Sequence, residues 1–117
     1  MEQVMSANTL VIKSNDEVIQ LNYVAVKSAA MTLRAINHKL RQQIVKLIED
    51  NKKMTVTDIY VKLRLEQSVA SQHLAILRRA NIVVTERDGK FIHYTVNPAR
   101  IAAIAEFVKG LVATDEK

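Results

Sequence analysis

Between Thr55 and Val96 the chain changes its apolar period, and this stretch limits the folds open to it more than any other. Thr55 stands three residues before Asp58, a variant of the capping box, and predicts a short helix through about Leu63. Arg64-Leu65-Glu66 then leaves room only for a tight turn. From Glu66 to Ala80, Val69, Leu74 and Leu77, with Ala70 and Ile76 beside them, recur at helical spacing. Two helices joined so closely form a helix-turn-helix, although the glycine usual in its turn is missing. After Asn81 the period falls to two. Ile82 to Glu86 and Phe91 to Val96 are rich in Val, Ile, Thr and Tyr and flank Arg87-Asp88-Gly89-Lys90. Asp-Gly between two such runs predicts a hairpin with a type I′ turn. A hairpin directly after a helix-turn-helix is a winged helix.

The second helix of the pair carries chemistry on its outer side. Gln67, Ser68, Ser71 and Gln72 are uncharged donors and acceptors, and Arg78 and Arg79 follow in the last turn. Base edges in the major groove of double-stranded DNA present donors and acceptors that Gln and Ser match, and phosphates nearby attract cations. The wing tip would hold Arg87 and Lys90 near the backbone or the minor groove. The expected DNA-binding set is therefore Gln67, Ser68, Ser71, Gln72, Arg78, Arg87 and Lys90. Glu66, at the helix start, is read as a cap. Ser71 and His73 share this helix but point apart, so they make no nucleophile–base pair. With two glycines in the whole chain there is no phosphate-cradling loop, and no catalytic residues are assigned.

The rest of the chain reads as helix. Residues 1–14 are expected to form an N-terminal arm. Asn15 and Asp16 are cap-type residues predicting a long first helix from Glu17 to about Ile36, apolar on two faces, one of them for a second subunit. Asn37 is the next expected cap, with Leu40, Ile44, Leu47 and Ile48 along a helix to about Asp50. Pro98 suits the first turn of a last helix carrying Ile101, Ile104, Ala105, Val108 and Leu111. Residues 114–117 should fray. The expected class is mainly α with a small β-hairpin (α+β), a winged helix-turn-helix in the order ααααββα, within one domain over residues 15–113. A chain of 117 residues has room for one core and no separate catalytic domain. A net charge of +5 suits a polyanion partner or mere solubility. The absence of cysteine removes disulfides, thiolate metal sites and thiol redox sensing. No apolar run reaches the roughly 18 residues of a membrane span, so no membrane contact and a cytoplasmic location are expected.

Ile36-Asn37-His38-Lys39-Leu40-Arg41 through Ile44, then Ser68-Val69-Ala70-Ser71-Gln72-His73-Leu74-Ala75-Ile76-Leu77, then Arg87-Asp88-Gly89-Lys90 and Tyr94, resemble the ArsR/SmtB family of bacterial repressors. The resemblance spans roughly residues 30 to 98 and implies a homodimer built from the first and last helices. Each protomer would present one recognition helix to half of an inverted-repeat operator, and an inducer would release the DNA.

The departures bear on the inducer. Where arsenic- and cadmium-sensing members carry Cys-x-Cys, this chain reads Met54-Thr55-Val56-Thr57-Asp58-Ile59, and threonine is no ligand for soft metals. Where zinc- and cobalt-sensing members carry Asp-x-His, it has Asn97-Pro98-Ala99, with Lys109 and Val112 near the second half of that site. His38, His73 and His93 show no zinc spacing. No metal or other cofactor is expected. An organic ligand at the dimer interface, a site of oxygen and nitrogen ligands, and no inducer at all stay open. The competing reading is a winged-helix module for protein–protein contact, whose recognition face would be apolar or acidic rather than polar with basic flanks.

Overall fold

The computed structural model describes residues 3–5 and 8–116. The elements run β1 (Gln3–Met5), β2 (Thr9–Ser14), β3 (Glu17–Asn22), α1 (Tyr23–Ile36), α2 (Lys39–Asn51), α3 (Val56–Leu63), α4 (Gln67–Arg79), β4 (Val83–Asp88), β5 (Phe91–Val96) and α5 (Pro98–Ala113). A short 3-10 turn, Thr114–Glu116, closes the chain where fraying was expected; Lys117 lies outside the described residues. The chain divides into two compact units at Leu33–Arg34.

The first unit differs from expectation. Residues 17–22 are a strand, not the first turns of a helix, and the expected arm contains two strands, with positions 1, 2, 6 and 7 outside the described residues. Strands β1, β2 and β3 form an antiparallel sheet in that order. Asn15 and Asp16 have φ of 52° and 67° and sit between the paired residues Ser14 and Glu17. Positive φ at both central positions is the requirement of a type I′ hairpin turn, and Asn and Asp tolerate it. The same two residue types favour helix caps, which is why the local signal misled. The cap that starts α1 is Asn22, whose Oδ1 accepts the Ala25 amide at 2.9 Å.

The second unit is the winged helix. His38, not Asn37, caps α2, its Nδ1 accepting the Arg41 amide at 3.3 Å. Thr55 and Asp58 make the capping box of α3, each side chain accepting the other's backbone amide at 3.2 Å. In the missing-glycine turn, Arg64 itself adopts the left-handed conformation at φ 57°, and the Leu65 amide donates to the Tyr60 carbonyl at 2.9 Å. Helix α4 ends in a Schellman motif. Asn81 turns left-handed (φ 60°), its amide reaches the Arg78 carbonyl at 2.9 Å, and the Ile82 amide reaches the Leu77 carbonyl at 3.0 Å. Leu77 and Ile82, which flank the motif, are both fully buried.

The wing pairs Val83 with Val96 through to Asp88 with Phe91. Its two-residue loop is therefore Gly89-Lys90, one residue later than the expected Asp-Gly. Gly89 alone of the two has positive φ (62°). That is the arrangement of a type II′ turn, with glycine at its first central position, rather than type I′. Met54 exchanges backbone hydrogen bonds with Tyr94 at 2.7 and 3.1 Å, which ties the start of α3 to the outer side of the wing. Beneath these elements Ile44 and Ile48 of α2, Ile59 of α3, Leu74 and Leu77 of α4, and Ile82 and Val83 form the centre of the core.

Candidate nucleic-acid interface

The core determines which side of α4 is free. Ala70, Leu74 and Leu77 are at most 1% exposed. At about 100° per residue, Gln67, Ser68, Ser71, Gln72 and Arg78 then fall within one arc of about 140° on the other side. All five are exposed, as are Ala75 and Arg79 between them. Small Ala75 in the middle of this arc leaves the longer amides and guanidinium room to reach a surface pressed against the helix. Val69, His73 and Ile76 form the half-buried flank, so Ser71 faces out while His73 faces in.

The helix is held in place by a contact that sequence reasoning missed. Arg41 of α2 is only 9% exposed. Its Nε donates to the Ala35 carbonyl at 2.6 Å and its Nη2 to the Arg34 carbonyl at 3.2 Å, closing the last turn of α1. Its Nη1 lies 3.2 Å from His73 Nδ1 on α4. A guanidinium only donates, so Nδ1 is the acceptor and the His73 proton sits on Nε2. The His38 ring stacks obliquely on the His73 ring, with centroids 4.9 Å apart. Burial, then the neighbouring His38 and Arg41, hold the His73 pKa below the usual histidine value. The imidazole is thus kept neutral, as its acceptor role requires. The only trace of this in the sequence is an arginine between Leu40 and Ile44, on the inward side of an amphipathic helix.

At the wing tip Arg87 and Lys90 are both exposed. The Arg87 Nε donates to the Gly89 carbonyl at 3.3 Å, which arches the guanidinium over the turn. Lys90 Nζ stands 6.0 Å from the Phe91 ring centroid, the outer limit of a cation–π contact. The structure thus sets five of the seven expected DNA-contact residues on one arc of α4 and the other two on a separate basic tip of the same unit.

The positions at which the resemblance would place metal ligands do other work. The Thr55 hydroxyl is engaged in the capping box. Asn97 caps α5, its Oδ1 accepting the Arg100 amide at 3.3 Å while its Nδ2 donates to the Asn81 carbonyl at 3.2 Å. Asn97 therefore straps the start of α5 to the end of the recognition helix. Among the described residues, no three His, Asp or Glu side chains gather to hold a metal ion, and no helix is long and apolar enough to cross a membrane.

Residues 38–85 match the model of the family described as bacterial regulatory protein, arsR family. The chain is 34% identical over 83 residues to the transcriptional activator HlyU of Vibrio cholerae, covering 71% of this chain and 76% of that protein. It is 29% identical over 92 residues to the transcriptional repressor PagR of Bacillus anthracis, covering 79% and 92%. The crystal structure of PagR superposes with a TM-score of 0.61 at 31% identity, over 74% of this chain and 99% of PagR. That of HlyU from Vibrio vulnificus superposes with a TM-score of 0.57 at 31% identity, over 75% and 91%. An exposed polar recognition helix and a basic wing, in a chain of this likeness, identify a transcriptional regulator with a DNA-binding helix-turn-helix that belongs to the arsR family.

Proposed function

We propose that the protein is a sequence-specific repressor that binds an inverted-repeat operator in the cytoplasm as a homodimer. The observation that carries this reading is the arc of α4, where Gln67, Ser68, Ser71, Gln72 and Arg78 stand exposed opposite the buried Ala70, Leu74 and Leu77. Ser and Gln side chains there read base edges, Arg78 meets phosphate, and Arg87 and Lys90 of the wing track the backbone beside the groove. Two such helices related by a two-fold axis meet half-sites about one helical turn, 34–36 Å, apart.

The dimer reading is supported by α5. None of its sixteen residues is buried, and Phe107, Val108, Leu111 and Val112 are 40–57% exposed. On α1, Val24, Val26 and Met31 are 42–58% exposed. Apolar helix faces of this extent await a partner, and the first and last helices supply the dimer contact. The releasing signal acts without thiolates, since the chain has no cysteine. An apolar cleft of about 550 Å³ between α2 and α5, lined by Val45, Ile101 and Ile104 among others, is of a size that suits an organic inducer.

The test is a binding titration on promoter fragments selected from the source genome, with sedimentation of the free protein in parallel. Nanomolar binding to an inverted repeat, loss of sequence preference in Ser71→Ala/Gln72→Ala with the fold intact, and a dimeric mass are expected. Absence of preference among fragments at moderate salt would overturn the reading.

A further inference from the structure

The three-stranded sheet of the first unit separates its residues cleanly. Leu10 pairs with Leu21 and Ile12 with Ile19. Since side chains alternate along a strand, these four share one face, on which the polar pair Ser14 and Glu17 stands only at the turn end. Thr9, Val11, Lys13, Val18, Gln20 and Asn22 form the other face, four of them polar. An antiparallel sheet of this pattern buries its apolar face and wets the other. Within its unit this apolar face is only partly covered: Ile19 is 50% and Leu21 52% exposed, while Leu10 and Ile12 are half-buried.

We infer that this face is a self-association surface, covered by the same face of a second copy. Three observations choose that occupant. First, on β2 and β3 the face bears a single charge, Glu17 at its turn end, and the described residues of its unit carry two cations, Lys13 and Lys27, against two anions, Asp16 and Glu17. A polyanion or an anionic membrane finds no attracting field there, and the four aliphatics of a like surface meet no charge away from that end. Second, a unit of about 33 residues whose large aliphatics stay half-exposed is below the size that stands without help. Third, β3 passes directly into α1 through the Asn22 cap, so the sheet is continuous with the helix assigned above to the dimer. The inference rests on that dimer reading and adds a second, β-built contact to it, in which two sheets pack face to face about 10 Å apart. About three quarters of this chain accounts for nearly the whole of PagR, so this chain has residues to spare for such an addition.

Because the chain has no cysteine, single cysteines placed along β3 report the contact directly. Val18→Cys, Ile19→Cys, Gln20→Cys and Leu21→Cys, each in the full-length protein, are oxidised and run on non-reducing gels. Sedimentation of the unaltered protein runs alongside. Face-to-face packing gives covalent dimers at positions 19 and 21 at least tenfold more abundant than at 18 and 20. A second variant pair, Ile19→Lys and Leu21→Lys, raises the dimer dissociation constant at least tenfold while helicity and DNA-fragment binding at saturating protein persist. A dimeric protein whose cross-linking shows no alternation, or none at all, overturns the inference and leaves the dimer reading standing; this includes pairing through the free edge of β3, which would not alternate by face. A monomeric unaltered protein overturns the dimer reading and this inference with it.

Discussion

A buried arginine ties the recognition helix to the helices before it. Arg41 holds two carbonyls of α1 and one imidazole of α4 at once. Removing it leaves all three acceptors short of a charged donor, each such bond contributing about 1.5–3 kcal/mol. Losing the desolvation cost of a buried guanidinium offsets part of that sum, so Arg41→Met should lower unfolding free energy by about 3 kcal/mol in chemical denaturation, and DNA affinity should fall with it. His73 makes the same contact sensitive to pH. Its folded pKa lies below its unfolded value, so the folded state binds fewer protons than the unfolded chain over that window. The stability it contributes is complete above the unfolded pKa, near 6.5, and is lost as pH falls through the folded value, with a slope of at most about 1.4 kcal/mol per pH unit for one proton. Denaturation series between pH 7.5 and 5 should show this loss, and His73→Gln should flatten it. Arg64 offers a change of opposite sign. A non-glycine residue in the left-handed region costs about 1–2 kcal/mol, partly offset by the greater freedom of glycine when unfolded. Arg64→Gly should raise the midpoint of thermal unfolding, equivalent to about 0.5–1 kcal/mol. An unchanged or lower midpoint would show that the side chain contributes what its backbone loses.

Among the elements, α3 and the wing show how short pieces are held in register. Helix α3 has eight residues, too few to persist without its ends satisfied. The reciprocal bonds of Thr55 and Asp58 supply the N-terminal end. Thr55→Ala should cost about 1 kcal/mol by urea unfolding, and a double-mutant cycle with Asp58→Ala should show the two losses to be non-additive. This box was legible in the sequence because both partners lie within one turn. The turn of the wing was legible as a turn but not in its register. Asp88-Gly89 and Gly89-Lys90 are both acceptable loops by local chemistry; the closing pair of Asp88 with Phe91 selects the second. That choice sets Arg87 one pair back from the turn, with its Nε donating to the Gly89 carbonyl.

For the molecule as a whole, the net charge of +5 is modest, so affinity for DNA rests on where cations stand rather than on how many there are. Each phosphate contact adds about 0.9 to the slope of log affinity against log salt on duplex DNA. Arg87→Ala/Lys90→Ala should therefore flatten that slope by about 1.8 per protomer, about 3.6 for the dimer, and weaken binding to all sequences alike. Ser71→Ala/Gln72→Ala should leave the slope unchanged and erase preference. Fluorescence anisotropy at several salt concentrations separates the two outcomes, and a slope unaltered by the wing variant would remove the wing from the interface.

The sequence by itself determined the helix-turn-helix, the wing and the polar face of α4, because each is written in spacings shorter than two turns or one hairpin. It determined as well that thiolate chemistry is closed to this chain. Tertiary structure decided three things. Glu17 to Asn22 could wind as a helix or extend as a strand, and Asn15-Asp16 could cap the one or turn the other. Pairing with Thr9–Ser14 settles it, since a strand's hydrogen bonds lie on another segment. The role of Arg41 depends on carbonyls and an imidazole that come from separate helices. The half-exposed faces of the first sheet and of α5 became evident only once the core had claimed its share of the apolar residues, because burial is a property of the packed molecule and not of any window of the chain.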